Sequence, residues 1–125
     1  MCLVSKNKLS ISVTKKDLTV YKVLEKREAK YFSPFYYVDW RVGKVNEIDI
    51  RFICEEITYF EREFEVNKGL HAYTDKDAAV KLAKEKESPY IKLVIAEMMI
   101  PAESLIIKGD KHQIVTNKMK LIKIL

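Results

Sequence analysis

The sequence predicts an α+β fold, with one or two small, mostly antiparallel sheets and one main short helix over about residues 75–87. Three observations lead to this prediction. Much of the chain divides into short segments that alternate apolar with polar residues or form β-branched runs, as strands do. One segment, "TDKDAAVKLAKEK", combines a helix start signal with helical spacing of small apolar residues. The length of 125 residues suits a single domain.

The first elements along the chain are a basic N-terminal segment and a strand. Residues 1–16 are polar and alternate only briefly in "LSISV", which predicts either a disordered arm or an edge strand. Residues 17–125 would then form the single α+β domain. Within it, "LTVYKVL" at residues 18–24 alternates more cleanly and predicts a first core strand.

The next segment, "YFSPFYYVDW" at residues 31–40, is rich in aromatic side chains. Pro34 is incompatible with a helix interior or a central strand, so the segment is predicted to be a loop. Its rings either plug one end of the core or form a wall against which a flat ligand such as a base stacks. Tyr and Trp suit both roles, because each has an apolar body and a polar tip.

Two strands forming a hairpin are predicted next. The segment "VNEIDIRFI", residues 45–53, alternates and places Ile50 and Phe52 on one face. In "TYFEREFEV", residues 58–66, apolar residues share one face and three glutamates share the other, which predicts a solvated acidic face. A helix over residues 53–64 is the alternative, since the apolar residues there also fit helical spacing.

The main helix follows a glycine-bounded stretch, "KGLHAY". Thr74 or Asp75 is the predicted N-cap, with Asp77 in the first turn. Ser88 and Pro89 are predicted to end the helix. Its small apolar residues form a narrow face that would let the helix lie close against a sheet.

Three strands are predicted after the helix. The segment "YIKLVIAEMMIP" at residues 90–101 is nearly all apolar, which predicts the most buried strand. The segments "SLIIKG" and "KMKLIKIL" predict two more strands, joined through "DKHQIVTN" as a connection.

The net charge of +5 is unevenly distributed. Residues 45–66 hold two Lys/Arg against seven Asp/Glu and separate two basic flanks. This pattern favours a phosphate-bearing ligand or self-association into a homo-oligomer. The lysines are dispersed rather than arranged in a stripe with aromatics between them, so nucleic-acid binding is not expected.

Cysteine and histidine usage excludes several classes of site. Cys2 and Cys54 are too few for a disulfide framework, and the two histidines do not complete a metal site. No segment resembles a signal peptide or a membrane span, so we expect a cytoplasmic protein without a membrane partner. Removal of Met1 would make Cys2 an N-terminal nucleophile, but the residues that follow lack the glycine-rich sequence usual in such enzymes.

His71 is the sharpest single candidate for a ligand contact. His71 and Tyr73 are two residues apart and would share one face of a strand, while Gly69 would let the backbone approach a ligand. The following helix start would present N–H groups to an anion, although Asp75 and Asp77 oppose this. The alternative is a structural histidine held by backbone hydrogen bonds.

A family resemblance adds to this interpretation. The order of "TVYKVL", an aromatic loop, "GLHAYTDKDAAVKLA" and "IKLVIAEMMIP" resembles a family of small, mostly uncharacterised bacterial and phage proteins. It is more distantly similar to the centre of diphtheria-toxin-like ADP-ribosyltransferases, which implies an ADP-ribosyltransferase-like core and a pocket for NAD or an ADP-ribose-like molecule. In such enzymes a glutamate on a later strand is catalytic, and Glu97 and Glu103 are the candidates here, neither in a matching motif. Tyr21 and Lys22 stand where those enzymes carry a histidine or arginine.

Together, these patterns and the resemblance predict a set of ligand-binding residues. The set is Tyr21, Lys22, Ser33, Tyr36, Trp40, Gly69, His71 and Tyr73. No metal and no resident cofactor are expected.

The expected function is non-catalytic binding of a nucleotide-derived small molecule. One such role is a phage anti-defence sponge for cyclic ADP-ribose-type or cyclic nucleotide signals. The first alternative is an ADP-ribosyltransferase-like enzyme that uses NAD, with Glu97 or Glu103 stabilising the transition state. The second is a protein-interaction module that binds a host protein through the acidic hairpin of residues 55–65.

Overall fold

The structure, a computed structural model, describes residues 3–6, 9–33 and 38–125. The expectations that concern Cys2, Pro34 and Tyr36 lie outside the described residues. The elements in chain order are β1 (Leu3–Ser5), β2 (Ser10–Val13), β3 (Leu18–Arg27), β4 (Lys30–Phe32), β5 (Asp39–Trp40), β6 (Val45–Glu47), α1 (Ile50–Glu55), β7 (Ile57–Phe60), β8 (Glu63–Val66), β9 (Leu70–Tyr73), α2 (Lys76–Glu85), β10 (Lys92–Ile100), β11 (Leu105–Lys108), β12 (Gln113–Thr116) and β13 (Lys118–Ile124).

Most strands belong to one large antiparallel sheet. Its order is β2-β11-β12-β9-β3-β10-β13-β6, and β4 pairs with β3 and carries β5. A second sheet has the order β1-β8-β7. The architecture is therefore mostly antiparallel sheet with two short helices, in agreement with the predicted α+β class.

The centre of the large sheet is the long ladder between β3 and β10, which runs from the pair Lys92–Lys26 to the pair Ile100–Leu18. The strand predicted over residues 18–24 is confirmed and continues to Arg27. The prediction for residues 90–101 is confirmed as a strand, but it is not the most buried one. In β10 only alternate residues near its end are buried, whereas three of the four residues are buried in each of β11 and β12.

The two faces of the large sheet carry different layers. The inner face, on which Val20 and Leu24 lie, packs against side chains of the sheet itself and of the β5 region, including Trp40. The outer face is covered by α2 at one end, where Ala79 meets Val23 and Tyr73. At the other end the small sheet and α1 cover it through a separate apolar cluster, which consists of Leu3, Ile53, Val66, Leu105, Ile107 and Val115.

The helix predicted over about residues 75–87 is confirmed as α2. The Asp75 side chain accepts from the N–H of Asp77 at 3.3 Å, so Asp75 and not Thr74 is the N-cap. Ala79 is fully buried on the sheet-facing side, as the narrow small-residue face predicts.

The hairpin predicted from residues 45–53 and 58–66 is wrong in its position. The first strand ends at Glu47, because the Asp49 side chain accepts from the N–H of Arg51 at 2.8 Å and caps α1. Ile50 and Phe52, placed on a strand face by alternation, therefore lie on a helix and are exposed. The helix alternative over residues 53–64 is wrong as well.

The actual hairpin lies inside the second predicted strand. Glu61 and Arg62 have positive φ angles of 52° and 65° and turn the chain between β7 and β8. Two successive left-handed residues form the tight turn that suits the twist of a hairpin. Neither is Gly or Asn, which is why the turn carried no sequence signal.

Three strands were not predicted. Strands β4 and β5 lie at the two ends of the aromatic segment that was predicted to be a loop, and the third lies after β11. The connection "DKHQIVTN" contains β12, which pairs with β11 on one side and β9 on the other. The turn before it uses left-handed Lys111 and His112, again without the usual turn residues.

The N-terminal residues form strands at the margins of both sheets. β1 pairs with β8 in the small sheet, and β2 pairs with β11 as one edge of the large sheet. Leu3 is fully buried in the outer apolar cluster.

Candidate functional site

A buried lysine lies where β3 and β9 separate. These two strands share a single bridged pair, Tyr21 with Tyr73. Just beyond it, the Lys22 ammonium donates a hydrogen bond to the backbone carbonyl of His71. In the described part of the chain no carboxylate lies within ion-pair distance of Lys22. Burial lowers the pKa of Lys22 from 10.5 to about 8.

The His71 ring is held between two backbone carbonyls. Nε2 lies 3.0 Å from the Val66 oxygen and Nδ1 lies 3.1 Å from the Gly69 oxygen. Burial and the nearby Lys22 charge outweigh these two contacts and lower the pKa of His71 from 6.5 to about 4. A neutral ring has one N–H, so it donates to one carbonyl and turns an unprotonated nitrogen toward the other. Both ring nitrogens face backbone carbonyls, which agrees with a structural histidine rather than with a ligand contact.

Gly69 is required by packing around this histidine. Its φ is +107°, a conformation that side-chain-bearing residues rarely adopt. A Cβ at this position would lie 2.5 Å from Cγ1 of Val115 and 3.3 Å from Cδ1 of Ile53. The close approach that the sequence suggested for a ligand is thus made by the outer apolar cluster.

Three predicted residues meet in a polar row across the outer face. Tyr73, Tyr21 and Glu97 are direct neighbours on β9, β3 and β10, and Gln113 and Lys123 extend the row at its two ends. Residues directly opposite each other on neighbouring strands share a face. Burial raises the pKa of Tyr73, whose hydroxyl interacts with the Gln113 side chain. Sequence analysis missed Gln113 and Lys123, because only strand register brings them into this row.

The remaining predicted residues lie elsewhere. The Trp40 indole N–H donates to Oγ of Ser33 at 2.7 Å, and both side chains are buried. Glu103 is exposed in the turn after β10, with a φ of 68°, so the structure does not place it beside Glu97. Tyr36, the remaining predicted residue, lies outside the described residues.

A groove between α2 and β10 offers room for a ligand. Its volume is about 390 Å³, and its lining comprises Val80, Ala83, Lys84, Glu87, Ser88, Pro89, Ile91, Lys92, Leu93 and Ile95. The apolar walls come from the helix and from the outward-facing residues of β10, and two lysines lie among them. We call this space the α2–β10 groove.

Sequence analysis missed the α2–β10 groove, because its lining comes from a helix, the segment after it and a strand, which only the fold brings together.

The described residues offer neither a metal centre nor a membrane-spanning helix. Among residues 3–6, 9–33 and 38–125 no group of three or more His, Cys, Asp or Glu side chains is arranged to hold a metal ion. Neither described helix is long and apolar enough to span a bilayer.

Comparison with known proteins identified no relative of this chain. No protein-family model matches the chain, and no curated protein or solved structure shows significant similarity to it.

Proposed function

We propose that this chain is a non-catalytic binding protein for a small nucleotide-like anion, which it holds in the α2–β10 groove. The observation that carries the proposal is the combination of about 390 Å³ of open volume, apolar walls and two lysines in one place. Small-molecule sites are mostly apolar clefts of roughly 300–1,000 Å³ with a few placed polar groups.

The lining suits both the base and the phosphate of such a ligand. Leu93 and Ile95 on β10 face Val80 and Ala83 on α2, which gives apolar walls for a base. Lys84 and Lys92 give the lining two positive charges against the one negative charge of Glu87. Ser88 adds a hydroxyl that can donate to a phosphate or ribose oxygen.

The placement of the reactive side chains supports binding rather than turnover. Neither His71 nor Lys22 belongs to the lining of the α2–β10 groove, so neither lies beside a molecule bound there. Glu97 lies in the polar row and not in the lining of the α2–β10 groove.

The test is calorimetric titration with a panel that includes NAD, ADP-ribose, cyclic ADP-ribose and cyclic mono- and dinucleotides. We expect saturable binding to at least one member, and a tenfold or greater loss of affinity in the double variant Lys84→Glu/Lys92→Glu. Lys81→Glu is the matched control, because Lys81 lies on the same helix but outside the lining. The control should bind as the unmodified chain does.

Two outcomes would overturn the proposal. A flat titration against the whole panel would remove it. Release of nicotinamide from NAD, lost in Glu97→Gln but retained in Glu103→Gln, would favour the ADP-ribosyltransferase-like alternative.

A further inference from the structure

We propose that copies of this chain assemble head to tail, with strand β2 of one copy pairing against strand β7 of the next. The starting observation is that both strands lie at the end of a sheet. Among the described residues β2 pairs only with β11, and β7 pairs only with β8. A free strand edge offers unpaired N–H and C=O groups to another chain. This inference concerns a surface apart from the α2–β10 groove and does not depend on ligand binding.

Both edges expose apolar side chains. On β7, Tyr59 is 60% exposed and Phe60 is 75% exposed. On β2, Ile11 and Val13 are 52% and 55% exposed. Single exposed apolar residues are ordinary, but two on each of two unpaired edges are typical of interaction surfaces.

The backbone groups of β7 point outward at alternate residues. Phe60 and Glu63 close the two-residue turn and exchange hydrogen bonds with each other. In an antiparallel ladder the hydrogen-bonded pairs alternate, so the N–H and C=O groups of Ile57 and Tyr59 face away from β8.

The same alternation applies to β2. The Thr14 N–H donates to the Ser104 carbonyl at 3.0 Å on the β11 side. The N–H and C=O groups of Val13 and Ile11 therefore face away from β11. Each edge thus offers two outward-facing residues at the same spacing.

These positions define one register between copies. In an antiparallel pair, Ile11 lies opposite Tyr59 and Val13 lies opposite Ile57, so all outward backbone groups find partners. The apolar side chains at these positions then meet on one face.

The charges that flank the two strands fit this register. The register brings the end of β2 to the start of β7. Lys15 and Lys16, which follow β2, therefore lie near Glu55 and Glu56 at the end of α1, and all four are exposed. Within the described residues none of the four takes part in an ion pair. Pairing β7 with β7 of another copy would instead bring together the acidic residues that flank this strand, Glu55, Glu56 and Glu61. The charges therefore favour the β2–β7 contact, since like charges brought close together are unfavourable.

The contact uses different surfaces on the two copies. After the first contact one copy still presents its β7 and the other still presents its β2, so assembly closes into a ring or continues as a filament.

The experiment compares the solution mass, by light scattering, of the chain and two charge-reversal variants. We expect the unmodified chain to form assemblies whose mass falls as salt is added, because salt screens the flanking charges. Lys15→Glu/Lys16→Glu and Glu55→Lys/Glu56→Lys should each be monomeric at low salt. An equimolar mixture of the two should regain assembly, because each then meets an opposite charge on its neighbour.

A backbone variant separates strand pairing from other contacts. Tyr59→Pro removes an outward N–H without disturbing the β7–β8 ladder, and Tyr59→Ala is its control for loss of the ring. The proline variant should assemble at least tenfold more weakly than the alanine variant. A monomeric unmodified chain at every concentration would overturn the proposal. So would a mixture of the charge variants that stays monomeric.

Discussion

Lys22 and His71 are connected by a backbone carbonyl rather than by their side chains. The Lys22 ammonium donates to the carbonyl of His71, and the ring of His71 lies between the carbonyls of Val66 and Gly69 and donates to one of them. Two basic groups are thus held in a partly desolvated region without a described carboxylate partner. The cost of burying their positive charges appears as a lowered pKa in both.

Stability is expected to rise with pH because of Lys22. Its pKa is about 8 in the folded chain against an ordinary lysine value of 10.5, so the unfolded chain binds more protons between these values. Stability therefore increases as pH rises from about 8 toward 10.5, by on the order of 2 kcal/mol between pH 7 and pH 10. Urea unfolding of the chain and of Lys22→Met at both pH values measures this change. The other titrating groups are common to both proteins, so their contribution cancels when the two pH responses are subtracted. An equal pH response in the two proteins would contradict it.

Several neighbours at the residue level follow from the sequence, and others do not. His71 and Tyr73 lie two residues apart on β9 and share one face, as alternation within a strand predicts. Tyr21 and Glu97 become neighbours of Tyr73 only through the register between strands, which the sequence does not show. The partners of His71 could not be predicted, because Val66 ends β8 and its carbonyl is placed beside the ring only by the conformation of the loop between β8 and β9.

At the scale of elements, α2 shows how a small-residue face fixes the position of a helix. Ala79 is fully buried against Val23 and Tyr73, and its methyl group sets the distance between helix and sheet. The N-cap Asp75 and the apolar spacing predicted this helix well. The same rules failed at α1, because a six-residue helix is too short to show periodicity and its N-cap lies only two residues after the end of β6.

Replacing Ala79 with leucine should separate α2 from the sheet. The added atoms have no space between the helix and β3, so Ala79→Leu should lower the free energy of unfolding by about 1–3 kcal/mol. Lys81→Leu is the matched control on the exposed side of the helix and should change stability by about 0.5 kcal/mol or less. Denaturant unfolding followed by circular dichroism compares the two. Equal losses would show that α2 does not depend on close packing at this position.

Two of the errors in the predicted elements involve turns of the same kind. The turn at Glu61–Arg62 lies inside a predicted strand, the turn at Lys111–His112 lies inside a predicted connection, and both place residues other than glycine or asparagine at positive φ. Such positions cost conformational energy locally and are stabilised by the strands on either side. Short-range sequence patterns do not contain that information, so the division of the predicted strand into β7 and β8, and the presence of β12, emerged only from the structure.

At the scale of the whole molecule, protection should be highest at the centre of the large sheet and lowest at the unpaired edges. The β3–β10 ladder is long and is flanked by β9 on one side and β13 on the other. We expect amide hydrogen exchange to be slowest in β3 and β10 and fastest in β2 and β7 under high-salt, monomeric conditions. Exchange mass spectrometry with peptide resolution measures this order. Exchange in β10 as fast as in β7 would contradict it.

The single bridged pair between β3 and β9 also has a mechanical consequence. It divides the large sheet into a half ending at β9 and a half beginning at β3, joined there by Tyr21 with Tyr73, by Lys22 and by the helix above them. Continuous ladders resist shear because many parallel bonds share the load, whereas a narrow junction concentrates it. We therefore expect the lowest-energy collective motion of the sheet to be a rotation of its two halves about this junction. The hydrogen bond from the Lys22 ammonium on β3 to the His71 carbonyl on β9 would limit that rotation.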